Sequence, residues 1–492
     1  MSEGPGLVMV GLPGSGKSTV GRAVAARLGR RFVDIDDEVL SATRMTAAQH
    51  IDRGGEAAFR AVEREAVQRL IRQSGTVIAT GGGTIIDPLN RWALSHHGPI
   101  IWLEASAKVA GERLRRSPIP RPMFKADPVG TLETVSKARA PFYRMADHRV
   151  DGDGSGSAVA ALVLDALGEW RPGWRVLFDA EVPRDHPFGP PSARVVFGRD
   201  LDAAALGRIL EPFGGRVPAV IADERLAATL PALSAALPGE RRLDIGAGEA
   251  VKRMSHLERV LEWLSDNGVE RGDPLLAAGG GTVGDLAGVA AALYLRGIPL
   301  VNLPTTWVAM ADSAIGGKTA VDLARAKNAA GAFWPAWAIV ADVTALATLP
   351  EGRARDGMAE SLKCGLIGDA ALWDLVETRG PAAMAGTDPA ARYAIMERAA
   401  RLKLDVVERD PFERGPRRAL NLGHTLAHAL EVESGYTLSH GEAVALGLRA
   451  VLAIAAGRGA ETGLAARVDS VLAALGFPLT RRFDVAATRA AL

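Results

Sequence analysis

Cysteine is nearly missing from this sequence: Cys364 is the only one among 492 residues. A lone thiol excludes intramolecular disulfides and cysteine-built zinc sites, and it fits a reducing compartment, so a core position is its expected use. Net charge is nearly missing too. The 58 basic and 57 acidic side chains leave a formal charge of +1, so no global field draws the chain to nucleic acid or a membrane, and anion binding has to be local. No apolar run approaches the length that spans a bilayer, and "MSEGPGLVMVGLPGSGKST" reaches a glycine loop before an apolar signal segment can form. These absences predict a cytoplasmic protein with no nucleic-acid or membrane partner. Disorder is not the default either, because 48% apolar and 23% charged residues is ordinary globular composition.

What is present is a strand-then-glycine pattern. "ATGGGT" at 79–84 returns as "AAGGGT" at 277–282, but the continuations "GGGTIIDPLN" and "GGGTVGDLAG" sit in different settings, with no wider similarity around them. This is one physical solution used twice: without Cβ atoms, backbone approaches a ligand closely at the C-terminal end of a strand. "LVMVG", "RFVDID", "TVIATGG" and "PIIWLE" alternate with helical stretches, which predicts a parallel sheet wound with helices. "DGDGSGS" at 151–157 has linker composition, yet the helical "AVAALVLDALGEW" after it closes the first domain, so the better boundary is "EWRPGW". The expected division is 1–168, a linker at 169–175, an α/β half at 176–345 and a helical half at 346–492.

"GLPGSGKS" at 11–18 is a full P-loop pattern between an apolar strand and a helical run. Backbone N–H groups from Gly14, Ser15, Gly16 and Lys17 would ring a β-phosphate, Lys17 would act catalytically by neutralising β/γ oxygens, Ser18 would ligate magnesium, and Thr19 completes the ATP-binding set. Downstream, "FVDIDDEV" places Asp34 and Asp36 on one side of a strand end, while Arg60 and Arg139 could clamp a carboxylate. Each arginine alone reads as a solvated surface charge. Together with the triple glycine, "FR..E", the "RP" lid and "RAPFY", these residues resemble shikimate kinase over the whole first domain. The resemblance implies ATP with Mg2+, with Asp34 organising the ion and Asp36 acting catalytically near the attacking hydroxyl. Arg60, Arg139, Gly81, Gly82 and Gly83 would hold shikimate, and Arg121 would close over the ATP phosphates. "RMTAAQHIDRGG" departs from the family's apolar pattern before "GE".

In "RRALNLGHTLAHALE" His424 and His428 are four apart and share a helical face. Spacing alone selects them as a metal pair, and either reads equally as a satisfied core histidine. His440 in "LSHGEA" and Glu360 in "GMAESLK" supply further donors, and two histidines plus a carboxylate is a standard catalytic zinc set. "VAMADSAIGGKTAVDLARAKN" crowds Asp312, Lys318, Lys327 and Asn328 into a glycine-rich stretch. With "GGGTVGDLAG" and "LPTTW", these stretches look like 3-dehydroquinate synthase from about 176 to near the end.

That resemblance moves the metal ligands, zinc or cobalt, to Glu360, His424 and His440, with His428 facing substrate. It assigns NAD to Asp223, Glu249, Lys252, Gly279, Gly280, Gly281, Asp285, Thr305, Thr306, Asp312, Lys327 and Asn328. It assigns heptulosonate phosphate to Asp312, Lys318, Lys363, Lys403, Arg417, Asn421 and His428, with Arg296 reaching across a homodimer interface formed by the second domain. Lys318, His428, Arg417, Lys363 and Asn421 are then catalytic.

The fold class is therefore α/β: a P-loop kinase domain with helices on both sheet faces, then a Rossmann-like α/β domain with an all-helical C-terminal subdomain. The implied chain is bifunctional, phosphorylating shikimate and cyclising 3-deoxy-arabino-heptulosonate 7-phosphate to 3-dehydroquinate. Two alternatives stand for the second domain: a related sugar-phosphate cyclase, or an impaired NAD-binding or dimerisation module. The second arises because "VLAALGFPLTRRFDVAATRAAL" lacks the family's "DKK"-type lysine segment, which predicts a truncated phosphate pocket and impaired turnover.

Overall fold

Leu7–Val10 (β1), the first apolar run, is wholly buried and lies at the centre of a parallel sheet. Phe32–Asp34 (β2), Val77–Ala79 (β3), Ile100–Glu104 (β4) and His148–Asp151 (β5) complete it in the order β2-β3-β1-β4-β5. The structure, a computed structural model, describes residues 5–117, 124, 126–184, 190–246, 248–324, 326–459 and 462–491. It divides into two compact units, Met1–Ala180 and Glu181–Leu492.

In the first unit, helices Lys17–Leu28 and Gly156–Glu169 pack on β1, β3 and β4 through Val20, Val24, Val159 and Val163. The glycine-rich 151–157 stretch is thus a turn inside this unit, ending where Ser155 caps the second helix by accepting from Ala158 N at 3.4 Å. The unusual "RMTAAQHIDRGG" segment enters helix Ala47–Leu70 through a Thr46–Gln49 capping box, kinks at Gly55 (φ 78°), and first buries a side chain at Phe59. That segment lies on the outside, so its missing apolar pattern is no defect of packing.

The second unit has two layers of different construction. Its sheet contains Arg175–Pro183 (β6), inside which the division between units falls, then Ser192–Arg199 (β7), Ala219–Asp223 (β8), Arg242–Ile245 (β9), Leu275–Gly279 (β10) and Leu300–Pro304 (β11). A separate antiparallel ribbon, Lys318–Leu323 (β12) with Ala326–Phe333 (β13), precedes the last sheet strand, Ala338–Asp342 (β14). The sheet order is β6-β7-β14-β11-β10-β8-β9, and β7, β14, β11, β10, β8 and β9 pair in parallel. The stretch read from sequence as glycine-rich and polar starts in a helical turn, Ala309–Ser313, that carries Asp312, and then runs into this ribbon. Gly316 and Gly317, at φ 91° and 67°, turn the chain into it, and a Cβ at Gly331 would lie 2.0 Å from Thr319 O, so only glycine lets the strands close.

From Glu351 onward the chain is helical. Helix His440–Gly457 is long and apolar enough to cross a membrane by length and composition, which corrects the expectation that no such run exists. Its buried face, Gly441, Ala443, Val444, Ala445, Gly447 and Leu448, packs against neighbouring helices of this unit, so its apolarity serves the core.

Candidate active sites

The first unit's site begins in the loop after β1. Gly11, Gly14 and Gly16 hold φ of 146°, 82° and 97°, and a Cβ on Gly14 would come within 2.4 Å of Ala110 O. Lys17 donates to Gly11 O (2.9 Å) and Leu12 O (2.8 Å), which curls the loop around its ammonium group. Ser18 donates to Asp34 Oδ2 at 2.5 Å, so the expected magnesium partners already touch, while Thr19 is exposed. Asp34 also caps helix Ile35–Thr43 by accepting from Asp36 N at 3.0 Å. β2 ends at Asp34 and Asp36 lies in the first turn of the helix that follows, so the strand end and the helix start together place the two aspartates.

The triple glycine is where the remaining groups converge. A Cβ at Gly81 would lie 3.0 Å from Asp36 Oδ1, at Gly82 3.1 Å from Arg139 Nη1, and at Gly83 2.5 Å from Arg60 Nη2. One acid and two guanidinium groups thus share space that side chains would fill. Glu63, carried in the "FR..E" motif but given no role there, is buried, pairs with Arg60 Nη1 at 2.8 Å and accepts from Thr84 Oγ1 at 2.6 Å. It fixes the Arg60 fork. Tyr143 donates to Gly82 O at 2.9 Å, and burial pushes its phenol up to about 12. Arg113, which no motif flags, binds the carbonyls of Ser15 (3.2 Å), Gly152 (2.8 Å) and Gly154 (2.9 Å), tying the P-loop to the turn after β5. Arg121 lies outside the described residues.

In the second unit, Glu360 lies mid-helix in Glu351–Gly368 and is 1% exposed. His424 and His440 each open a helix. Those helices cross closely because Gly423 meets Gly447: a Cβ on Gly447 would lie 2.1 Å from Gly423 O. The ligand atoms of Glu360, His424 and His440 all fall within 4.8 Å of one another. Glu360 Oε1 is 3.3 Å from His424 Nε2 and 2.9 Å from His440 Nε2. One carboxylate and two imidazoles fit a divalent ion such as zinc or cobalt. His428, the other half of the spacing-derived pair, is outside this group and stacks edge-on to His424 at 5.5 Å.

Charge in this centre is balanced by burial against pairing. Burial disfavours the Glu360 carboxylate, but Lys363, 2.5 Å from its Oε2, and the two imidazoles hold it well below its usual range. Burial likewise opposes charge on His440, yet its hydrogen bonds to Glu360 and Glu431 lift it to about 10. His428 is lowered by burial first and by His424 second.

The nucleotide residues gather at strand ends. β10 ends at Gly279, Gly280 caps helix Gly281–Leu293, and a cavity there is lined by the three glycines, Asp285, Asn302 and Lys318. Glycines at a strand end leading into a helix N-terminus fit a pyrophosphate. Thr305 follows β11, and Thr306 packs over Gly280, whose Cβ would lie 3.1 Å from Thr306 Cγ2. Lys252 pairs with Asp285 at 2.6 Å and donates to Asn328; burial still pushes Asp285 up to about 6. Lys327 stands 3.6 Å from Glu249. Asp223, at the end of β8, is engaged by Arg225 at 2.8 Å.

The substrate residues fall into two groups. Asp312 and Lys403 pair at 2.6 Å, and buried Arg417 donates to Gly316 O at 3.0 Å. Lys318 and Asn421 are both held by Glu413, a residue assigned no role by motif or spacing. Arg296 stands apart. It precedes β11 at φ 66°, whereas the glycines follow β10, and at about 3.3 Å per residue a five-residue strand separates the two sheet ends by roughly 16 Å. It lines a different cavity from Lys318, the two cavities sharing Trp334. At the C-terminal end Arg481 pairs with Glu433 at 3.0 Å, roughly 13 Å along the helix from His424.

Comparison with known proteins separates the same two regions. The shikimate kinase family model matches residues 13–168, the 3-dehydroquinate synthase N-terminal model residues 242–356, and its C-terminal counterpart residues 357–492. The chain is 43% identical over 290 residues to a 3-dehydroquinate synthase of Ruegeria sp., covering 58% of this chain and 76% of that protein. It is 41% identical over 298 residues to one of Paracoccus denitrificans, covering 59% and 81%. Among solved structures, a 2-epi-5-epi-valiolone synthase from Streptomyces hygroscopicus, with NAD+ and Zn2+ bound, is 30% identical, covers 63% of this chain and 87% of that one, and superposes with a TM-score of 0.55. A 2-deoxy-scyllo-inosose synthase at 24% identity and TM-score 0.54 shares the fold. The second unit of this chain belongs to the 3-dehydroquinate synthase family, and a shikimate kinase domain precedes it.

Proposed function

We propose that the chain runs two separate reactions of the shikimate pathway. The first unit transfers a phosphoryl group from ATP to shikimate, and the second converts 3-deoxy-arabino-heptulosonate 7-phosphate to 3-dehydroquinate with loss of phosphate. The observation that carries the second reading is the Glu360, His424, His440 cluster in the same unit as a glycine-capped helix N-terminus. A related sugar-phosphate cyclase shares such parts, but the higher identity lies with the named 3-dehydroquinate synthases.

In the kinase unit, the P-loop N–H groups and Lys17 bind the nucleotide phosphates, and Ser18 with Asp34 would hold Mg2+, which supplies charge neutralisation at the transferring phosphoryl group. Arg60 and Arg139 grip the substrate carboxylate, Glu63 keeps the first of them aimed, and Asp36 accepts the proton of the attacking hydroxyl at Gly81. In the synthase unit, the nicotinamide and the divalent ion, when bound, supply hydride acceptance and polarisation of a substrate alcohol. Glu360, His424 and His440 would hold the ion, and Gly279–Gly281 the pyrophosphate. Lys318, Lys403, Arg417 and Asn421 hold and orient a phosphate-bearing dianion in a chain with no overall positive field, and His428 faces the reacting carbons. We place the domain boundary at 169–175 and pair the second units as a homodimer that delivers Arg296.

The test is a paired assay on the full chain, following shikimate phosphorylation and phosphate release from the heptulosonate substrate. A product other than 3-dehydroquinate would move the second unit to another cyclase class.

A further inference from the structure

Helix His424–Glu433 carries His424, His428 and Glu431 at positions i, i+4 and i+7, so the three side chains share one face. The two histidines have roles above. Glu431 does not, and it is only 5% exposed. Its Oε1 lies 3.4 Å from His440 Nδ1, while His440 Nε2, on the opposite edge of the ring, lies 2.9 Å from Glu360 Oε1. Nε2 is therefore the edge turned to the metal-ligand cluster, and Nδ1 is the edge turned away. Among the described residues no other acceptor faces Nδ1.

We infer that Glu431 is a positioning residue for the metal centre: it accepts the Nδ1–H of His440, fixing the tautomer that leaves Nε2 free to ligate and locking the ring's rotation. A carboxylate behind a metal-bound imidazole also strengthens it as a donor. The lock matters at this ligand because its side chain is 32% exposed, against 12% for His424, so packing restrains it least. Glu431 is excluded as a fourth ligand by the same geometry, since it approaches the far nitrogen. Its Oε1 is also 3.8 Å from Lys327 Nζ on β13, and that ammonium stands 3.6 Å from Glu249. The carboxylate thus joins the ligand helix to the ribbon on the nucleotide side.

This inference rests on the metal-site reading above, and its test separates the two. Zn2+ and Co2+ affinities are measured by equilibrium dialysis on the full chain, with the visible spectrum of bound Co2+ and the unfolding temperature of the metal-free protein. Glu431→Ala is expected to weaken metal binding about tenfold to a hundredfold with little change in metal-free unfolding. Glu431→Gln, which keeps an acceptor oxygen, is expected to recover part of the affinity and to shift the Co2+ spectrum. If both variants bind as tightly as the unchanged chain with the same spectrum, while His440→Ala loses metal, Glu431 has no positioning role and the metal site stands. If metal-free stability falls in step with affinity, Glu431 is a packing residue and the inference fails. If His440→Ala itself retains metal, the ligand assignment underneath is wrong.

Discussion

Glu413 accepts a hydrogen bond from Lys318 across 95 residues of chain. The same carboxylate accepts from Asn421 Nδ2 at 2.6 Å, and burial, which disfavours its charge, is outweighed by these two partners, leaving its pKa lowered. Two groups expected to meet substrate are thus set by one acid from a neighbouring loop. Glu413→Ala should lower synthase kcat/KM about tenfold to a hundredfold, as loss of charge-assisted hydrogen bonds worth roughly 1.5–3 kcal/mol implies, with shikimate phosphorylation unchanged. Unaltered steady-state kinetics would mean that the contact is an incidental surface pair.

Lys17 curls its own loop by donating to Gly11 O and Leu12 O. Lys17→Ala should abolish phosphorylation of shikimate while phosphate release from the heptulosonate substrate continues near its normal rate. Loss of both rates in a chain that still unfolds cooperatively would reveal coupling between the units.

Glu63 faces Arg60 on one side and Thr84 on the other. Its replacement by glutamine removes the buried one of the two charges that aim the guanidinium, exposed Glu56 being the other, so KM for shikimate should rise about tenfold with KM for ATP unchanged, read from initial rates. Equal increases in both constants would place Glu63 in general packing.

Alanine at Glu360, His424 or His440 should remove most bound divalent metal, and His428→Ala should keep the metal and lose turnover. Elemental analysis of dialysed protein decides this. The reverse pattern at His428 and His440 would restore the pair that helical spacing selects.

Burial pushes the Cys364 thiol up to about 12, above its ordinary range near 8.5. The folded chain keeps a proton that the unfolded chain loses, so this group's contribution to stability is intact below pH 8 and declines as pH rises beyond the unfolded value. Thiol-exchange reagents at pH 8 should react with Cys364 only after denaturation. Rapid modification of the native chain would mean that the site opens readily.

Glycine and helix signals were legible because they are local. The P-loop, both triple glycines and the helical C-terminal half could be read from spacing, since backbone conformation and side-chain periodicity are set within a few residues. The β12–β13 ribbon was not, because Gly331 declares its purpose only when Thr319 O stands 2.0 Å from where a Cβ would be. Spacing likewise chose His428 over His440: an i, i+4 rule sees one helix, and His440 starts another.

By itself, then, the sequence determined the local devices of this protein: the phosphate loop, the glycine triplets and the donor types available for a metal. Only the tertiary structure decided which donors meet. Gly423 against Gly447 lets two helices cross closely enough to set the His424 and His440 rings 5.4 Å apart, and helix Glu351–Gly368 delivers Glu360 to both. The physical reason is that ligand geometry depends on close packing between elements distant in the chain, which no periodicity along a single element encodes.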